Sequence, residues 1–322
     1  MENVKLVELL SKHREYNVVG HVRPDGDCVG SQLAVCNVLT AKNIRCHIVK
    51  NDDYGNILSA FFDEHDVIDC KDFDAKLPLI CVDCSNFNRV GNEIFAKYET
   101  PYLNIDHHIS NNSFAEHNVI DPDSSSTAQL IARLLLGEGV DFDKKTAEVL
   151  YLGIMTDSNR FAYDTTTMET VQIVEVLMEK GVCISEIYRK VYERDSLQKY
   201  RLLERFLHNM AVFDGGRCCT SFVVDDDFRE TNAELLETEG FVNYTRKIDG
   251  VMVGAFLEFH DSYTKCSLRS ESADFRMDLF AKQFGGGGHP AAAGFVIGKQ
   301  DAKFYAKFQE ELAQHLRKIF TD

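Results

Sequence analysis

The segment His21-Val22-Arg23-Pro24-Asp25-Gly26-Asp27 follows the short apolar run Val18-Val19-Gly20 and puts one imidazole and two carboxylates on a turn leading into a helix. Imidazole nitrogen and carboxylate oxygen are ligands for divalent first-row metals, and Pro and Gly supply the turn. The same residue types also make ordinary surface turns, so the segment reads as a metal site only if other elements end in matching ligands. Asp83 follows the apolar run Leu79-Ile80-Cys81-Val82, Asp106-His107-His108 follows a second such run, and Asp157 stands at the exit of a helical stretch.

Together His21, Asp25, Asp27, Asp83, His107 and Asp157 offer two imidazoles and four carboxylates, a set that suits two divalent ions better than one. Asp83 is the candidate carboxylate to bridge ions about 3.5 to 4 Å apart. Mn²⁺ fits this mixture of nitrogen and oxygen donors, with Co²⁺ and Zn²⁺ as alternatives. Mg²⁺ fits less well because it seldom takes imidazole.

These ligands need a scaffold that brings strand ends together. Apolar runs at 18–21, 44–49, 67–68, 79–83 and 102–105 read as strands, and periodic segments at 28–42, 127–137, 144–156 and 167–180 read as helices. Alternation of strand and helix implies an α/β fold with a mostly parallel sheet, whose strand C-terminal ends collect in one crevice. The stretch 184–210 reads as one long charged helix. The expected organisation is a domain over 1–185, a helical connector over 186–210 and a smaller α/β domain over 211–322, with strands near 219–224, 251–259, 265–268 and 295–297 and helices at 274–284 and 302–320.

With 44% apolar and 27% charged residues the chain reads as globular rather than disordered. Its apolar runs are too short to span a membrane, and its N-terminus lacks the basic and apolar blocks of a secretory leader, so a cytoplasmic location is expected. The ten cysteines are dispersed and read as reduced thiols; Cys81 and Cys84 form a CxxC with no second pair to complete a zinc site, and both read as buried packing. A net charge of −16, from 35 basic and 51 acidic residues, argues against a broad basic face for long duplex nucleic acid. A small anion held by metals and a few local arginines stays compatible with that charge.

In order, His21-Val-Arg-Pro-Asp25-Gly-Asp27, Asp83 after a strand, Asp106-His107-His108 and Thr156-Asp157 resemble the four motifs of the DHH phosphoesterase superfamily. Lys265-Cys-Ser-Leu-Arg269-Ser270 and Gly285-Gly-Gly-Gly-His289-Pro resemble its DHHA1 substrate domain, and the size and GGGGH ending are similar to the short oligoribonuclease and 3′-phosphoadenosine 5′-phosphate phosphatase branch. The resemblance implies that His21, Asp25 and Asp83 hold one metal and that Asp27, Asp83, His107 and Asp157 hold the other. It implies that Asp106 orients the neighbouring metal-bound imidazole and that His108 faces the substrate phosphate. Arg160, Arg269, the glycines Gly286, Gly287 and Gly288, and His289 are then expected to bind substrate. The glycines would let backbone N–H groups approach an anion. The implied reaction is metal-dependent hydrolysis of short RNA oligonucleotides, from di- to pentanucleotides, and of small nucleotide phosphates, with a homodimer allowed. Linear products of cyclic dinucleotides and polyphosphate are alternative substrates, and a catalytically silent nucleotide-binding protein is the alternative outside the enzymes.

Overall fold

The computed structural model describes residues 5–62 and 65–319, and the chain divides into two compact units, Met1–Arg194 and Asp195–Asp322. In the first unit six strands, β1 (Glu15–Val19), β2 (Arg45–Lys50), β3 (Val67–Asp69), β4 (Leu79–Val82), β5 (Leu103–Asp106) and β6 (His117–Ile120), form a sheet in the order β3-β2-β1-β4-β5-β6. Every pairing in it is parallel. All strand C-termini therefore open on one edge, where the ligand-bearing turns lie. β6 was not expected from the sequence: His-Asn-Val-Ile carries one buried residue, Val119, and as an edge strand it needs no apolar run.

One sheet face is covered by the helices Gly26–Ala41, Thr127–Gly137 and Lys144–Asp157, whose Val29, Leu33, Leu130, Ile131, Leu150 and Ile154 pack in one core with Val18, Ile80 and Ile105. The other face buries Val19, Leu79 and Cys81 against Phe73, Phe87 and Ile94. Two glycines let the first and third of these helices touch backbone to backbone. A Cβ on Gly30 would strike the Val149 carbonyl, and one on Gly153 would stand 2.6 Å from Asp27 Oδ1. This close crossing brings the helix whose first turn carries Asp27 against the helix that ends with Asp157.

The second unit is a separate sheet of β7 (Ala211–Phe213), β8 (Cys218–Val224), β9 (Val253–Phe259), β10 (Tyr263–Ser270), β11 (Gly287–His289) and β12 (Ala292–Gly298), in the order β11-β12-β10-β9-β8-β7. Only β8 and β9 pair in parallel. The helix Ala302–Ile319 buries Phe308, Leu312 and Leu316 on one face, and Leu202, Phe206, Phe228 and Phe241 meet Phe256 on the other.

Three expectations differ from this architecture. The single helix read over 184–210 is two, Ile184–Tyr192 and Leu197–His208, because Ser196 accepts a hydrogen bond from Lys199 N and caps a fresh start. The helix expected over 274–284 is a short turn, Ala273–Phe275, and then Met277–Lys282, broken at left-handed Arg276. The thiols are not all free: Cys36 and Cys46 are joined by a disulfide, and eight other cysteines are free. No helix among the described residues is long and apolar enough to cross a membrane.

Candidate metal centre

His21 is buried just beyond β1. Its Nδ1–H donates to the Val22 carbonyl at 2.9 Å, which fixes the ring so that Nε2 faces Asp25 Oδ2 at 3.7 Å and Asp83 Oδ2 at 3.3 Å. Burial opposes the charge on His21, but hydrogen bonds to Asp25 and Asp83 carry its pKa up to about 10. Asp25 is the N-cap of the Gly26–Ala41 helix, with Oδ1 accepting from the N–H groups of Asp27 and Cys28. Burial works against its ionised form as well, yet His21 and those two N–H groups keep its pKa lowered.

Asp27, one residue into the same helix, turns toward a different one. Its Oδ2 accepts from Thr127 N at 2.7 Å and its Oδ1 from Ala128 N at 2.9 Å, the open first turn of the Thr127–Gly137 helix. Burial and then the carboxylates of Asp83, Asp157 and Asp25 push its pKa well above the usual carboxylate range. Two residues after Asp25, the chain has thus turned its second carboxylate to a new set of neighbours.

Asp83 takes a left-handed backbone conformation, φ 57°, at the end of β4. Its Oδ1 accepts from Thr127 Oγ1 at 3.0 Å and faces His107 Nε2 at 3.7 Å, while Oδ2 faces His21. One carboxylate therefore addresses both imidazoles. His107 Nδ1 donates to the Ser124 carbonyl at 3.2 Å, leaving Nε2 for Asp83 and for Asp157 Oδ2 at 3.3 Å. At the exit of its helix, Asp157 has a pKa raised by burial to about 6. Three overlapping groups of donor atoms within 4.8 Å of one another result: His21, Cys28 and Asp83; Asp83, His107 and His108; Asp27, His107 and Asp157. Clustered carboxylates and imidazoles of this kind are the chemistry of a divalent cation site.

Asp106 is wholly buried, and it serves His108 rather than His107. Its Oδ1 accepts from His108 Nδ1 at 2.7 Å and its Oδ2 from Asn111 Nδ2 at 2.5 Å. The Asp106 hydrogen bond raises the pKa of His108, which is 40% exposed and so keeps an accessible face.

Two participants were not assigned from the sequence. Thr127 binds Asp83 through its hydroxyl and Asp27 through its N–H, and the Ser-Ser-Ser-Thr run at a helix start was the available signal. Cys28 puts its sulfur in the first donor group, but burial, first, and then Asp83 and Asp25 push its thiol pKa well up, which keeps it protonated.

Arg160 lies three residues beyond Asp157 in a left-handed run, Asn159, Arg160 and Phe161, and its guanidinium lies 5.1 Å from the centre of the Tyr192 ring. In the second unit Arg269, Ala292 and His289 share one row across β10, β12 and β11. Gly287, Gly288 and His289 form the exposed edge strand β11 instead of a free loop. Gly286 is required by packing, since a Cβ would strike the Gly294 carbonyl, whereas a Cβ on Gly287 would meet open space.

The DHH family, N-terminal domain, matches residues 16–154. The chain is 29% identical over 284 residues to the bifunctional oligoribonuclease and PAP phosphatase NrnA of Thermus thermophilus, covering 87% of this chain and 83% of that protein. It is 25% identical over 300 residues to the NrnA of Bacillus subtilis, covering 92% of each. An exopolyphosphatase-related protein from Bacteroides fragilis superposes with a TM-score of 0.88 at 26% identity over 98% of this chain and 96% of that one. RecJ of Thermus thermophilus, in complex with Mn²⁺, shares the fold at a TM-score of 0.53 and 12% identity, covering 97% of this chain and 53% of that one. The segment similar to the DHH family, N-terminal domain, residues 16–154, is the one that carries His21, Asp25, Asp27, Asp83 and His107.

Proposed function

We propose that this chain is a divalent-metal-dependent phosphoester hydrolase that cleaves short oligoribonucleotides to mononucleotides and removes the 3′-phosphate of 3′-phosphoadenosine 5′-phosphate. The observation that carries this reading is Asp83, whose two oxygens face His21 and His107 in separate donor groups. The similarity to the NrnA proteins over most of the chain supports the choice of substrates.

In this reading His21, Asp25 and Asp83 hold one ion, and Asp27, Asp83, His107 and Asp157 hold a second, with Mn²⁺ the best match to the donors. Bound divalent cations supply Lewis acidity that activates water and offsets the charge gathering on the phosphoryl group. The chain's own residues do the positioning. Val22 and Ser124 carbonyls fix the tautomers of His21 and His107, and the first turn of the Thr127–Gly137 helix holds Asp27. His108, oriented by the hydrogen bond from its Nδ1 to Asp106 that also raises its pKa, donates to a phosphoryl oxygen. Arg269 and His289, in one row of the second sheet, bind the remainder of the substrate as hydrogen-bond donors.

The experiment is a substrate panel with the purified protein and Mn²⁺: a dinucleotide, a pentanucleotide, 3′-phosphoadenosine 5′-phosphate, linear pApA and polyphosphate. Turnover of the dinucleotide and the bisphosphate, abolished by a chelator and restored by Mn²⁺, is the expected result. Polyphosphate is included because of the exopolyphosphatase-related structure, and hydrolysis of polyphosphate alone would replace the substrate assignment. Absence of any turnover together with absence of Mn²⁺ binding would return the chain to a nucleotide-binding role.

A further inference from the structure

The two bonded cysteines join the elements that support the His21–Asp27 turn. Cys36 lies in the Gly26–Ala41 helix, whose first turn carries Asp25 and Asp27, and Cys46 lies in β2. The residues that leave β2 grip the same turn from the other side: Asn51 Nδ2 donates to the Gly20 and Val90 carbonyls at 2.8 and 3.0 Å, and Asp52 Oδ2 accepts from Arg23 N at 2.9 Å. Cys36 is about 14 Å along the helix from Asp27, so the link sits at the far end of this support from the metal ligands.

Both sulfur-bearing residues line a cavity of about 1240 Å³ within the first unit, which is lined as well by the C-terminal end of the Gly26–Ala41 helix and the N-terminal end of the Lys144–Asp157 helix. Cys46 is half-buried and Cys36 is 1% exposed. The Cα atoms are 5.5 Å apart, within the range a disulfide needs, so neither backbone has to move for the bond to form or open. A pair that is bridgeable, reachable from a cavity and asymmetric in exposure has the arrangement of a thiol exchange site.

We propose that Cys36 and Cys46 form a reversible redox site that exchanges with low-molecular-weight disulfides and sets the thermal resistance of the metal-binding unit without changing its rate at ordinary temperature. In the oxidising direction the Cys46 thiolate attacks one sulfur of the small disulfide and expels one small thiolate, leaving a mixed disulfide. The Cys36 thiolate then attacks the Cys46 sulfur and expels the second. The protein loses two protons and two electrons, and the small disulfide gains them as two thiols. The inference is independent of the substrate assignment.

The test compares the full-length protein after incubation with oxidised glutathione and after reduction by a dithiol. Peptide mapping without reductant is expected to recover a Cys36–Cys46 crosslink in the oxidised sample, lighter by two hydrogens than the reduced pair. The crosslink spans 10 residues, and its loop-closure entropy predicts a Tm higher by about 5 °C or more in the oxidised protein. Cys46→Ser should remove both the crosslink and the difference in Tm, while Mn²⁺ binding at 25 °C stays within about twofold in every sample. Glutathione retained on Cys46 without closure, or a crosslink with no change in Tm, would overturn the proposal. Because wild-type protein is compared with itself in two redox states, failure of a variant to fold does not decide the outcome.

Discussion

Asp83 Oδ2 stands 3.3 Å from His21 Nε2, a contact between residues 62 positions apart that exists because β1 and β4 are adjacent parallel strands ending at the same edge. The other oxygen of the same carboxylate faces His107 from the next strand, β5. Replacing Asp83 by Asn removes one negative charge from between both donor groups while keeping the shape. The expected result is a loss of metal-dependent turnover of at least about a hundredfold. In the wild type, Mn²⁺ at about 100 times its Kd should add about 2.7 kcal/mol of stability and raise Tm by several degrees. Asp83→Asn should lose most of that rise, and an undiminished Mn²⁺-induced shift in the variant, read by calorimetry, would contradict the assignment.

Asp106 makes a separable case because it holds His108 and touches neither His21 nor His107 in the described contacts. Asp106→Asn should leave Mn²⁺-induced stabilisation near the wild-type value while lowering kcat by about 10² to 10⁴, the scale of a lost proton donor, with a smaller change in KM. Stopped-time assays at saturating substrate and a Mn²⁺ titration of the same sample separate the two effects. Equal losses of metal binding and kcat would mean that Asp106 supports the metal ligands instead.

The clustering of the proposed ligand residues was legible because its signal is local: a polar residue placed directly after an apolar strand or at a helix exit needs only the rule that parallel strands end together. What stayed hidden depends on where side chains turn. The expected partner of Asp106 was the adjacent imidazole, whereas Asp106 holds His108, two residues on and on the same face at the strand end, while His107 Nδ1 donates to the Ser124 carbonyl. The four glycines look alike in the sequence, yet only the folded sheet shows that Gly286 is required by packing against Gly294 while Gly287 faces open space. The Cys36–Cys46 link was likewise invisible, because it depends on the helix and the strand after it folding back with their Cα atoms 5.5 Å apart.

His47 gives a pH test away from the metal ligands. Its Nε2 meets Glu15 Oε1 at 2.8 Å, its Nδ1 meets Asp66 Oδ2 at 2.6 Å, and Arg45 binds the other Glu15 oxygen. Partial burial opposes the charge, but the two carboxylates win and the pKa is raised. A folded pKa above the unfolded value of about 6.5 gives stabilisation that is fully present below that pH and disappears as pH rises through the folded value. The gap in urea midpoint between wild type and His47→Gln should therefore be widest near pH 6, where both carboxylates are ionised, and should shrink as pH rises through the raised folded pKa. A gap that grew with pH would reverse the sign and refute the account.

Gly153 connects the fold to the chemistry most directly. A methyl group there would stand 2.5 Å from Ala128 Cβ and 2.6 Å from Asp27 Oδ1, so Gly153→Ala must push apart the helices that carry Asp27, Asp157 and the Thr127 N–H. Alanine is the better helix former, and propensity alone would make the change stabilising by about 1 kcal/mol. Overpacking of a tight crossing costs about 1 to 3 kcal/mol and should win. The variant should unfold at lower urea and bind Mn²⁺ at least about tenfold more weakly, because Asp27 is moved from the two N–H groups that orient it. Gly137→Ala, at the end of the neighbouring helix where no atom lies within 4 Å of the added carbon, is the control, and it should leave Mn²⁺ binding unchanged. If Gly153→Ala kept wild-type Mn²⁺ affinity while losing stability, the helix crossing would serve the fold alone and the carboxylate would be oriented by Thr127 and Ala128 regardless of it.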